Sequence, residues 1–106
     1  MSRHDVSITL KQMLDYSQKT VELSKGKKRS DLDKDLVLTR LVEVIGEAAD
    51  RVSKSFQASH SEIDWAQIIG MRNRLIHGYD EIDFDILWNV VKKDVPALIK
   101  QLEEII

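Results

Sequence analysis

The sequence predicts an all-α fold, an antiparallel bundle of four or five helices, and three observations carry that expectation. The 106 residues include one proline and four glycines. Such a composition suits helices better than a strand-and-turn architecture. Apolar residues recur at intervals of three and four through most of the chain, and no stretch alternates with the period of two that a half-buried strand requires. Hydrophobic residues make up 42% and charged residues 32%, enough apolar surface for one core but too short a chain for two, so residues 1–106 are expected to form a single domain.

The first helix is expected to begin near Asp5 and end by Ser24, with Val6, Leu10, Met13, Leu14, Ser17 and Val21 on one stripe. Lys25-Gly26-Lys27-Lys28-Arg29-Ser30 has a glycine, four cations and no apolar residue, so it reads as an exposed connection. Ser30 or Asp31 can cap a second, long helix, in which Leu38, Leu41, Val42, Ile45, Ala48, Ala49, Val52 and Phe56 keep the helical period. Gly46 in its middle costs about 1 kcal/mol relative to alanine unless a neighbour needs the space, which predicts the close approach of another helix. Glu43 and Glu47, one turn apart, can reach across to a basic side chain or simply face solvent.

Residues 58–61 break the pattern, and a third helix opens around Ile63 to Ile69, with Trp65, Ile68, Ile69, Leu75 and Ile76 on its apolar side. Gly78 is placed as its left-handed terminator. Asp83 can cap a fourth helix that carries Phe84, Leu87, Trp88, Val91, Val95, Leu98, Leu102 and Ile105, and Pro96 must kink or split it. Both tryptophans fall on apolar stripes and are expected in the core. The acids Asp80, Glu81, Asp83 and Asp85 read as capping and solvation, and no metal site is expected.

Charge and composition exclude several functions. The chain has no cysteine, so it forms neither disulfides nor thiolate metal sites. There is no signal-like start, and no run approaches the roughly 18 apolar residues of a membrane span, so a cytoplasmic location is expected. Residues 1–30 hold seven Lys/Arg against three Asp/Glu, and the remainder nine against fifteen, for a net charge of −2. Any RNA binding must therefore rest on local cations such as Lys25, Lys27, Lys28, Arg29, Arg72 and Arg74.

The chemistry is concentrated in Arg72-Asn73-Arg74-Leu75-Ile76-His77-Gly78-Tyr79. Arg72 and His77 lie about 140° apart around an ideal helix, so they do not share one narrow face within the helix body. His77 falls in the last turn, where the carbonyl end of the helix dipole favours an imidazolium. These groups suit metal-free RNA cleavage by the ribose 2′-hydroxyl. In that scheme His77 moves protons, and Arg72 holds the phosphate oxygens with its planar fork. Asn73 and Arg74 are candidates for positioning the RNA backbone.

Arg72-Asn73-x-x-x-His77-x-Tyr79 resembles the Arg-polar-x(3)-His motif of HEPN domains, specifically that of HepT-type bacterial toxins. Ile45-Gly46-Glu47-Ala48-Ala49, Trp65 before Ile69-Gly70-Met71-Arg72, and Asp94-Val95-Pro96-Ala97-Leu98 resemble the same family in order and spacing. The resemblance implies a HEPN-like helical bundle that acts as the ribonuclease toxin of a type VII-like toxin–antitoxin module. It implies a homodimer in which both motifs line one cleft, with Arg72 of one copy working beside His77 of the other and the small residues around Gly46 at the interface. It also implies a minimal nucleotidyltransferase antitoxin that transfers AMP to Tyr79, and no resident cofactor. The alternative is a non-catalytic helical partner of a nucleotidyltransferase that binds nucleotide or substrate. A third possibility is a purely structural dimer, with His77 capping a helix and Arg72 and Arg74 paired to Glu43, Glu47 or Asp80.

Overall fold

The computed structural model describes residues 6–77 and 82–106, apart from the side chains of Asp33 and Lys34. The described residues form helices and turns without a strand. Helix α1 spans Val6–Ser24, α2 Leu36–Asp50, α3 Lys54–Ser59, α4 Trp65–His77, α5 Phe84–Asn89 and α6 Val95–Ile105. A 3-10 turn at Arg29–Lys34 precedes α2, and a π-helical turn at Val90–Asp94 joins α5 to α6. The bundle therefore has α1, α2, α4 and the α5–α6 rod as its long members, with α3 as a short fifth.

Helix α1 stops where Gly26 takes a left-handed conformation, φ 75°, which glycine adopts without steric cost. Its buried face is rotated from the expected stripe. Thr9, Ser17, Thr20 and Ser24 are buried beside Leu10 and Met13, while Leu14 and Val21 are only half-buried. Back-bonding makes this tolerable at Thr20 and Ser24, while the Ser17 hydroxyl is buried without a partner. Thr20 Oγ1 donates to the Tyr16 carbonyl at 2.8 Å and Ser24 Oγ to that of Val21 at 2.9 Å, so these hydroxyls enter the core already satisfied. Lys92 Nζ then donates to the Ser24 carbonyl at 2.9 Å, placing a cation at the carbonyl end of α1.

The expected second helix is divided in the structure. Ser30 and Asp31 lie in the 3-10 turn, and α2 is capped by Asp35, whose Oδ1 accepts from the Leu38 amide at 2.8 Å. Lys27 pairs with the other oxygen of the same carboxylate, which fixes the cap. At the far end α2 closes at Asp50, and Ser53 starts α3 by accepting from the Phe56 amide. The apolar period runs through this break because Val52 is buried in the turn itself, 3% exposed. A side-chain cap and a buried turn residue produce the corner without glycine or proline.

Asp64 caps α4, its Oδ1 accepting from the Gln67 amide at 3.0 Å, and Asp83 caps α5 through the amides of Asp85 and Ile86. The strain expected at Pro96 is taken up by the π turn, where the Val95 amide donates to the Val90 carbonyl. Pro96 thereby falls in the first turn of α6, where a missing N–H costs little. One contiguous core results, built on Leu10, Met13, Leu38, Ile45, Met71, Leu87, Leu98 and Leu102. No helix among the described residues is long and apolar enough to cross a membrane.

Half-buried Asp94 at the end of the π turn faces the start of α4. Its carboxyl is shifted up from its ordinary value, first because burial penalises the anion and then because Asp64 repels it; Gln67 and Lys93 oppose the shift. The fold thus binds this proton more tightly than the unfolded chain, and stability falls as pH rises through the folded value. Asp94→Asn, which keeps an acceptor for Gln67, is expected to raise the melting temperature at neutral pH. That gain should shrink as the solution is acidified toward the ordinary Asp range, about pH 4. A gain independent of pH would contradict this account.

Candidate active site

Helix α4 carries the motif because its two sides have different work. Trp65, Ile68 and Met71, three residues apart, point into the core, and Arg72 follows on the edge that meets α2. The contact with α2 is close. A Cβ built on Gly46 would lie 2.3 Å from Arg72 Cβ and 2.8 Å from the Ile68 carbonyl oxygen, separations that no real packing tolerates. The close helix approach expected at Gly46 is therefore present, but the approaching element is the chain's own α4. Gly46, Ala48 and Ala49 are buried within the protomer, so they are not free to form a small-residue interface with a second copy.

Arg72 is half-buried. Its Nη1 donates to Asn73 Oδ1 at 2.8 Å, and its Nε is buried without a hydrogen-bond partner. Neither Arg72 nor Arg74 forms an ion pair among the described residues. Glu43 and Glu47, which the sequence allowed either to reach across to a basic side chain or to face solvent, accept from Arg40 Nη1 on their own helix, at 2.7 and 3.2 Å. The sequence carried a signal for this cluster, since Arg40, Glu43 and Glu47 are spaced i, i+3 and i+7 along one helix. Of the acids that the purely structural alternative offered to Arg72 or Arg74, Glu43 and Glu47 are paired with Arg40, and Asp80 lies outside the described residues.

His77 is the last residue of α4 and is exposed, as are Asn73 and Arg74. Within one chain Arg72 lies in the α2–α4 seam and His77 at the end of α4, with no hydrogen bond between them. Gly78, Tyr79, Asp80 and Glu81 lie outside the described residues, so the expected terminator and the expected AMP acceptor have no structural description. In the connection after α1, three of the four cations have acidic neighbours. Lys25 pairs with Glu22 at 2.9 Å, Lys27 with Asp35, and Arg29 with Asp85. Among the described residues no group of three or more His, Cys, Asp or Glu side chains is arranged to hold a metal ion.

The family model for ribonuclease HepT-like proteins matches residues 10–105. The chain belongs to the ribonuclease HepT-like family. An inferred RNase of Caldanaerobacter subterraneus subsp. tengcongensis is 39% identical over 92% of this chain and 90% of its own length. An inferred RNase of Methanocaldococcus jannaschii is 32% identical over 97% of this chain and 98% of its own. An inferred ribonuclease HepT of Thermococcus cleftensis is 39% identical over 62% of this chain and 60% of its own. No solved structure gives a significant match. This HepT-like chain thus has the all-helical, HEPN-like fold that its sequence predicts.

Proposed function

We propose that this HepT-like protein is a metal-independent ribonuclease, the toxin of a toxin–antitoxin module, acting in the cytoplasm as a homodimer. The observation that carries the reading is Arg72. Its guanidinium is partly desolvated, its Nε lacks an acceptor, and it sits five residues before an exposed histidine at a helix end. The buried Nε meets no phosphate, but the side chain is only half-buried and has no acid partner among the described residues, which leaves its terminal amino groups to meet one in a lowered local dielectric.

In the reaction the ribose 2′-oxygen bonds to phosphorus while its proton passes to one His77 imidazole. The bond to the 5′-oxygen breaks, and that oxygen takes a proton from the second imidazole of the dimer cleft. Arg72 stabilises the charge gathering on the non-bridging oxygens, and Asn73 and Arg74 hold the flanking backbone. A second copy resolves the separation of Arg72 from His77 along one helix. Two features of α4 support this arrangement. Ile76 is 49% exposed beside His77. Gly70, on nearly the same side as His77, has nothing within 4 Å of an added Cβ, which leaves room for close approach. The partner of the module is a minimal nucleotidyltransferase that silences the toxin by adenylylation: the Tyr79 oxygen bonds to the α-phosphorus of ATP, its proton is lost, and pyrophosphate leaves.

The test is cleavage of total RNA in EDTA by the purified protein, beside Arg72→Ala and His77→Ala proteins shown to be folded. Discrete cleavage by the unsubstituted protein alone supports the proposal. Cleavage only with added divalent cation removes the metal-independent mechanism, and no cleavage by unmodified protein shifts the reading to a nucleotidyltransferase-associated binding module. Coexpression with the nucleotidyltransferase should add the mass of one adenylyl group per chain, lost in Tyr79→Phe. An unmodified chain despite an active transferase and ATP contradicts the regulatory part.

A further inference from the structure

The two mid-helix glycines meet opposite surroundings. Around Gly70 an added Cβ meets nothing, whereas at Gly46 it would lie 2.3 Å from Arg72 Cβ, 3.1 Å from Arg72 Cγ and 2.8 Å from the Ile68 carbonyl oxygen. Ile68 and Arg72 are four residues apart on α4, so all three contacts fall on the single helical turn that carries the motif arginine. Any side chain at position 46 must push that turn outward or bend the Arg72 stem, because the colliding atoms are a backbone oxygen and the first two carbons of the side chain. The seating explains why Arg72 Nε is buried without an acceptor: the stem starts inside the α2–α4 seam and only its tip emerges. On the same stretch of α2, Arg40 occupies Glu43 and Glu47, the acids that flank Gly46 in sequence.

We propose that Gly46 is a positioning residue for the reaction, holding the Arg72 guanidinium at a fixed depth and direction by bringing the α4 turn against the α2 backbone. The functional consequence rests on the ribonuclease reading; the seating itself does not. A displacement of about 1 Å in a group that stabilises a transition state lowers the rate by about 100-fold. The loss belongs in kcat more than in KM, because the misplaced contact is the one that strengthens as charge develops.

The experiment compares full-length Gly46→Ala with the unsubstituted protein. The expected kcat is about 100-fold lower with KM little changed, and the pH profile of the residual activity keeps its shape because His77 is untouched. The Arg72 Nε–Hε resonance in a nitrogen-15 correlation spectrum should move, and its exchange with water should accelerate. A folded Gly46→Ala protein with full kcat and an unmoved Arg72 resonance overturns the proposal. Where Gly46→Ala does not fold, Arg72→Gly removes the colliding carbons, with Asn73→Gly controlling for the helix cost of a new glycine. The Gly46→Ala/Arg72→Gly protein should then recover a cooperative thermal transition that Gly46→Ala/Asn73→Gly lacks, and failure of both to fold overturns the seating. If the unsubstituted protein cuts no RNA, the ribonuclease reading fails, while the resonance and this stability comparison still decide the role of Gly46.

Discussion

In RNA cleavage without divalent metal, His77→Ala is expected to lose about 10²- to 10⁴-fold in kcat and Arg72→Ala about 10²- to 10³-fold. Both proteins should remain folded. His77 is exposed at the end of α4, so its truncation opens no cavity and should change stability by less than about 0.5 kcal/mol. Arg72 is different, because its stem packs in the α2–α4 seam while its buried Nε is unsatisfied. Alanine loses the packing but removes an unsatisfied donor, whose burial costs about 1–3 kcal/mol, so the two effects oppose and the net change should be small. Arg72→Lys keeps the charge without the planar fork. Full activity in that protein would mean that a point charge suffices and that bidentate phosphate contact is not used. Parallel losses of activity and melting temperature in the alanine proteins would instead favour the structural-dimer alternative.

The parts of the fold legible in the sequence were those set by local chemistry. Gly26 ends α1, and Asp83 caps α5, because the conformation each residue favours agrees with its surroundings. The division of the second helix was not legible, since Val52 carries the apolar period through a corner that Ser53 makes by capping α3. Periodicity reports which residues are buried, not whether the helix between them is continuous. Spacing alone likewise missed Thr20 and Ser24, whose hydroxyls are satisfied by their own helix and enter the core where the apolar stripe had placed Val21.

The candidate site was legible as a set of residues and only partly as an arrangement. Gly46 signalled a close approach, but a single sequence does not say which helix approaches, and the one that does brings Arg72 with it. Glu43 and Glu47 were recognisable as one-turn neighbours, yet Arg40, nearer along the helix, takes both. Arg72 consequently lacks an acid partner among the described residues.

The second large effect concerns stability. Trp65→Ala is expected to lose about 3–5 kcal/mol, a large share of the roughly 5–15 kcal/mol that holds a small domain folded. At about 4–8 °C per kcal/mol, thermal denaturation should show a drop in melting temperature above 10 °C. Trp65 is 6% exposed, and its indole Nε1 donates to the His60 carbonyl at 2.9 Å. That bond ties the first turn of α4 to the end of α3, so the tryptophan both fills the core and fixes where the motif helix begins. Trp65→Phe retains most of the apolar volume and loses the hydrogen bond, and should cost about 0.5–1.5 kcal/mol from that loss, plus a smaller packing defect. Trp88 is the natural contrast, half-buried with Lys92 Nζ 4.9 Å from its ring centre, and Trp88→Ala should be the milder substitution. If Trp65→Ala kept its melting temperature but lost affinity for RNA, the indole would be a stacking platform and its assignment to the core would fail.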